Sequence, residues 1–149
     1  MPGLRYRTAA HQLWALVVEC LTMSQARMAA AAADVGLSPV SALTLIRLDP
    51  AVPISQKQLA ERMHCSPSTV VDPTDRLEQR GLVARHTHRD DRRVKVLVVT
   101  DEGRRVRDRL VSELFAPPES LERLSAADQA RFRDAMLEAV SPSFKREPR

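Results

Sequence analysis

Glycine, cysteine and aromatic residues are all scarce in this chain. It holds four glycines and two cysteines in 149 residues, and its aromatic side chains are one Trp, one Tyr and three Phe. So few glycines leave no glycine-rich phosphate loop and no nucleophile elbow, and no zinc-binding helix motif is present, which argues against an enzyme. Cys20 and Cys65 are too few for a disulfide framework and fit a reducing compartment. With few aromatics, the core must be built from Leu, Val, Met and Ala, which suits helices. No apolar run is long enough for a membrane span, and no secretory leader pattern opens the chain. The expected location is therefore the cytoplasm, with no membrane partner. The composition itself is that of a globular protein, 44% apolar and 28% charged, with a net charge of +4. That basic balance points weakly toward nucleic acid.

Apolar spacing predicts a long first helix from Leu4 to about Ala33, with Leu13, Leu16, Val17, Cys20 and Leu21 on one stripe, later joined by Met28 and Ala31. Gly36 is its stop. Ser38-Pro39 reads as a cap followed by proline at the first helical position, opening a second helix that Asp49-Pro50 closes. Ser55 and Gln58 form a capping-box pattern for a short helix with Leu59, Ala60 and Met63 inward. Three residues later Ser66-Pro67 starts another helix, which runs to Arg80 and stops at Gly81. Two helices joined by so short a turn have helix-turn-helix spacing. The texture then changes: Leu82–Thr87 and Val94–Val99 read as strands around a polar tip at His88–Arg93. Thr100 caps a further helix, Pro117-Pro118 breaks it, and Ser125 opens the last one before Pro142. The predicted fold class is mostly α with a small β-hairpin wing.

The run Asp91-Arg92-Arg93-Val94-Lys95-Val96-Leu97-Val98-Val99-Thr100-Asp101-Glu102-Gly103 resembles the wing of the MarR (multiple antibiotic resistance regulator) family and its exit into the next helix. That pattern is Asp-x-Arg, a strand, then Thr-x-x-Gly. Ser66 to Val70, with Asp75-Arg76-Leu77-Glu78 and Gly81-Leu82-Val83, resembles the family's recognition helix, and Ser55 to Met63 the helix before it. The resemblance implies a winged helix-turn-helix lobe over residues 37–99 and a helical dimerisation region over 1–36 and 100–149. It implies a homodimeric regulator of transcription that binds double-stranded DNA, most often as a repressor. A small-molecule effector of unknown identity is common in the family, and no cofactor is expected.

A helix in the major groove reads bases through side chains near its N-terminus. Ser66, Ser68, Thr69 and Arg76 are the candidates there, although Ser66 could serve only as the helix cap. In the wing the candidates are Arg89, Asp91, Arg92, Arg93 and Lys95. Residues 85–95 carry five basic and two acidic side chains, which equals the whole excess of residues 55–99. A hairpin-tip arginine can enter the negative minor groove. By the resemblance Arg93 is that residue and Asp91 orients the loop.

The centre of the recognition helix departs from the family pattern at Val71-Asp72-Pro73. A mid-helix proline costs about 3 kcal/mol, so the helix is either kinked or restarts with Asp72 as a second cap and Pro73 at its first position. Asp72 also brings negative charge toward phosphate unless Arg92 or Arg93 pairs with it. The atypical helix keeps a second reading open, a winged-helix protein-interaction module. Cys20 on the apolar stripe reads as a buried inert thiol rather than a redox sensor, and packing is the default for Cys65 as well. The four histidines, His11, His64, His86 and His88, form no metal-ligand spacing with the cysteines, although His86 and His88 share one face of a strand and could make a site with His64.

Overall fold

The computed structural model describes residues 8–87 and 94–140. By chain contacts it forms two compact units, residues 1–115 and 116–149. The first unit begins with α1 (Ala9–Asp34). Within the described residues the helix starts at Ala9, after Thr8, which has extended backbone and whose hydroxyl accepts from the His11 amide at 3.3 Å; the expected start at Leu4 lies outside them. Gly36, at φ +67°, ends it, and the Leu37 amide reaches back to the Ala32 carbonyl at 2.8 Å. Ser38 then caps α2 (Pro39–Arg47), accepting from the Ser41 amide at 3.1 Å with Pro39 in the first turn. Asp49 closes this region by accepting the Ala51 amide at 2.8 Å.

The capping box is present: Ser55 accepts from the Gln58 amide at 3.2 Å, and the Gln58 side chain accepts from the Ser55 amide at 2.8 Å. It opens α3 (Gln56–Arg62). The two residues before it, Ile54–Ser55, form a short strand β1 that the sequence reading did not anticipate. They pair with Leu97 and Val96 of β3 (Lys95–Val99), which also pairs along its length with β2 (Val83–Thr87). The hairpin is thus part of a three-stranded antiparallel sheet in the order β1-β3-β2. A two-residue strand has no periodicity to read, and it exists because β3 offers a free edge.

Between α3 and the next helix the chain turns at His64, at φ +53°, with the Cys65 amide bonded to the Ala60 carbonyl at 3.0 Å. A 3₁₀ turn, Pro67–Val70, leads into α4 (Val71–Gln79). This geometry resolves the proline. Val70 is the cap residue of α4, so Pro73 sits in its first turn, where an N–H has no intrahelical acceptor to lose. The helix does restart, but one residue pair earlier than expected, and Asp72 lies inside the first turn rather than capping it.

α5 (Asp101–Phe115) is capped by Thr100, whose hydroxyl accepts from the Gly103 amide at 3.0 Å and donates to the Gly81 carbonyl at 2.7 Å. A Cβ at Gly103 would lie 1.9 Å from the Leu82 carbonyl oxygen. The Thr-x-x-Gly motif therefore records a close approach of helix to strand. The core of this unit joins Ala31, Ala32, Leu45, Leu48, Leu59, Val70, Leu77, Leu82, Val83 and Leu110, contributed by every layer. Each fully buried leucine is worth roughly 1.5–3 kcal/mol against an exposed one. Arginines fasten the outside. Arg107 donates to the Leu48 carbonyl at 3.0 Å and Arg104 to that of Pro50 at 2.9 Å, satisfying the C-terminal end of α2 and the loop beyond it.

The second unit contains α6 (Glu119–Glu122) and α7 (Ala126–Val140). Ser125 caps α7 at the Asp128 amide, 3.2 Å away, and the Gln129 amide group donates to the Leu121 and Leu124 carbonyls. No described side chain of α7 is buried. The long helix α1 is similarly open over most of its length. Met28 and Ala31 pack on the core as the stripe predicted, but Leu13, Leu16 and Leu21 are more than half exposed. Cys20 is exposed with them, contrary to the expectation of a buried thiol, because that part of the stripe faces away from the core. Cys65 is half-buried against the core. Among the described residues no single helix is long and apolar enough to cross a membrane.

Candidate DNA interface

The N-terminal end of the recognition segment presents a cluster of hydroxyls. Ser66 Oγ lies 2.8 Å from Ser68 Oγ and 2.8 Å from Thr69 Oγ1, and all three residues are exposed. Ser66 makes no side-chain capping bond, so its hydroxyl is held by its neighbours and not by the backbone. Together with the amides of the 3₁₀ turn, this is a polar surface suited to phosphate or base edges. The inward face of α4 is Pro73, Thr74 and Leu77, and the outward face carries Val71, Asp72, Arg76 and Gln79. Arg76 is therefore on the solvent side as expected. Its partner was not foreseen: Arg76 Nε donates to both Asp72 oxygens, at 3.1 and 3.0 Å. Asp72 is thus neutralised one turn along its own helix.

Lys95 opens β3, exposed, with Nζ donating to Thr87 Oγ1 of its cross-strand partner at 2.8 Å. Arg89, Asp91, Arg92 and Arg93 lie outside the described residues, as does His88. Among the described residues no group of histidine, cysteine and carboxylate side chains could hold a metal ion.

One basic residue counted toward the wing has a different task. Arg85 of β2 is paired with both Asp75 and Glu78 of α4, its Nη2 and Nη1 each meeting one carboxylate. Burial works against its charge, but the hydrogen bond to Asp75 and the charges of Glu78 and Asp75 outweigh it and raise its pKa. Arg85 Nη2 also donates to Thr74 Oγ1 at 3.1 Å. That hydroxyl, fully buried, donates to the Val70 carbonyl at 2.7 Å and accepts from Gln56 Nε2 at 2.8 Å. Thr74 is therefore the point where α3, α4 and β2 are tied together, fixing the angle between recognition helix and wing. Sequence reasoning missed this node. Its signal was present: two acidic residues three apart on one helix, followed within ten residues by a strand arginine.

Comparison with known proteins agrees with this architecture. Residues 37–95 match the model of the MarR family. A 68-residue stretch is 41% identical to the HTH-type transcriptional repressor MdtR of Bacillus subtilis, covering 46% of this chain and 44% of that protein. The match thus spans less than half the length of that relative. The fold is similar to that of CouR from Rhodococcus jostii, solved bound to p-coumaroyl-CoA, with TM-score 0.73 and 27% identity over 95% of this chain and all of the other. It is also similar to Sco3205, a MarR-family transcriptional regulator from Streptomyces coelicolor solved in complex with DNA, with TM-score 0.66 and 25% identity over 96% and 95% of the two chains. A lobe that matches the MarR family model over residues 37–95 is thus carried on a fold similar to those of such regulators over nearly the whole chain.

Proposed function

We propose that this protein is a sequence-specific DNA-binding regulator of transcription that acts in the cytoplasm as a homodimer. The observation that carries the reading is the exposed hydroxyl end of the recognition segment, set by the Thr74–Arg85 node beside the strand pair that leads to the basic tip. Helix N-terminus and wing then address neighbouring grooves of one duplex. The dimer is supported by the open apolar stripe of α1 and by the lack of any buried side chain among the described residues of α7. Repression is the favoured direction, since the curated relative is a repressor. A small-molecule effector is part of the proposal, because CouR was solved with an acyl-CoA bound. No cofactor and no catalytic activity enter it.

The test is a footprint and a salt titration on DNA upstream of the protein's own gene. The expected result is protection of two half-sites about one helical turn apart, with affinity falling on the order of 10³-fold between about 50 and about 200 mM salt. Weak, salt-insensitive binding without a footprint would instead favour a winged-helix module that binds proteins.

A further inference from the structure

The acidic residue on the recognition helix looks misplaced beside a polyanion, and its geometry suggests why it is there. Asp72 and Arg76 are one turn apart on the outward face of α4, and both are well exposed, at 74% and 62% of their side chains. An exposed pair at this spacing contributes little to stability, so stability alone is a poor reason for a carboxylate at this place. The bonding pattern is specific. The carboxylate takes the Nε hydrogen of Arg76 between its two oxygens, at 3.1 and 3.0 Å, and neither terminal nitrogen of Arg76 bonds any other described residue. The guanidinium plane is thereby held from its Nε edge, while among the described residues nothing bonds its Nη1 and Nη2 edge. Two parallel N–H groups on that edge match the O6 and N7 acceptors of guanine in the major groove.

We infer that Asp72 is a positioning residue for Arg76, and that the pair together reads one guanine in each half-site. This rests on the DNA-binding reading above and deepens it. A free arginine on a helix surface keeps many rotamers and can settle on phosphates of any sequence. Held by Asp72, it loses that freedom before binding, and its charge toward phosphate is partly cancelled. Non-specific affinity falls while the guanine contact is pre-arranged. Asp72 thus trades overall affinity for selectivity.

The experiment selects bound duplexes from a randomised pool with the full-length protein, its Asp72→Ala, Asp72→Asn and Arg76→Ala variants, and the double variant. Far-UV circular dichroism confirms that each is folded. Arg76→Ala should lose a guanine preference at one position per half-site by about tenfold or more, the range of one bidentate base contact. Asp72→Ala and Asp72→Asn should weaken the preference at that same position while binding unselected DNA more tightly. The double variant should match Arg76→Ala alone in its base preference. If the wild type selects a motif and the Asp72 variants keep the guanine, the inference is overturned and the DNA-binding reading stands. It is equally overturned if the Asp72 and Arg76 variants change different positions, since Asp72 would then contact a base of its own. A wild type that selects no sequence overturns it together with the reading beneath it.

Discussion

Leucine serves two different ends in this molecule. Leu45, Leu59, Leu77 and Leu110 in the winged lobe and its α5 support are fully buried, whereas Leu13, Leu16 and Leu21 of α1 and Leu137 of α7 stand 52–64% exposed. Helical propensity is the same for both sets, so what differs is the second surface. The lobe supplies its own, because α2, α3, α4 and the sheet close around one core. In α1 the residues Leu13, Leu16 and Leu21 are exposed, and in the other unit Leu137 of α7 is exposed. The difference separates a part that folds on itself from the surfaces that the proposed dimer would cover.

The largest effect expected inside the closed region is at Gly103. Changing Gly103→Ala forces a methyl group against the Leu82 backbone and should cost about 3 kcal/mol or more, read by urea denaturation. A near-neutral result would mean that α5 does not approach the strand as described. Next comes Thr74→Val, which leaves the volume nearly unchanged but removes the acceptor of Gln56 Nε2 and one of the acceptors of Arg85 Nη2. It should cost about 1–3 kcal/mol, and a full-strength melting curve would deny Thr74 its role as a node.

On the open side the same logic predicts the reverse. Leu16→Glu should leave the circular dichroism of the fold unchanged, since the side chain touches little in the single chain. Sedimentation should nonetheless move from dimer toward monomer, because a charge would be buried in the interface. A variant that stays dimeric would place the interface elsewhere. The smallest effect is at His64, a non-glycine residue in the left-handed region. His64→Gly should stabilise the lobe by at most about 1 kcal/mol, as relief of strain is offset by the greater freedom of glycine when unfolded.

The sequence showed most where local chemistry decides structure. Ser38-Pro39, the Ser55–Gln58 box and Thr100 each open a helix where their hydroxyls predict one. The two valine-rich runs pair as strands, and the hydroxyls at 66, 68 and 69 are exposed as a cluster. What could not be read was pairing across distance. β1 needed the edge of β3, and the Arg85 pairing needed the strand brought back onto α4. Pro73 was ambiguous because one residue of offset decides whether its missing N–H costs a bond, and that offset is set by the 3₁₀ turn before it. A stripe shows which residues share a face without showing what the face meets, and so Cys20 stands exposed on a stripe that predicts burial.

The central claim is that this lobe grips DNA through its recognition segment and its basic tip. The most direct measurement is fluorescence anisotropy of an upstream duplex and a scrambled duplex with the wild type and Arg93→Ala. The account predicts tighter binding of the upstream duplex, and a loss of about 1–3 kcal/mol in operator binding for Arg93→Ala with an unchanged melting curve. Equal affinity for both duplexes, undisturbed by the loss of Arg93, would contradict it.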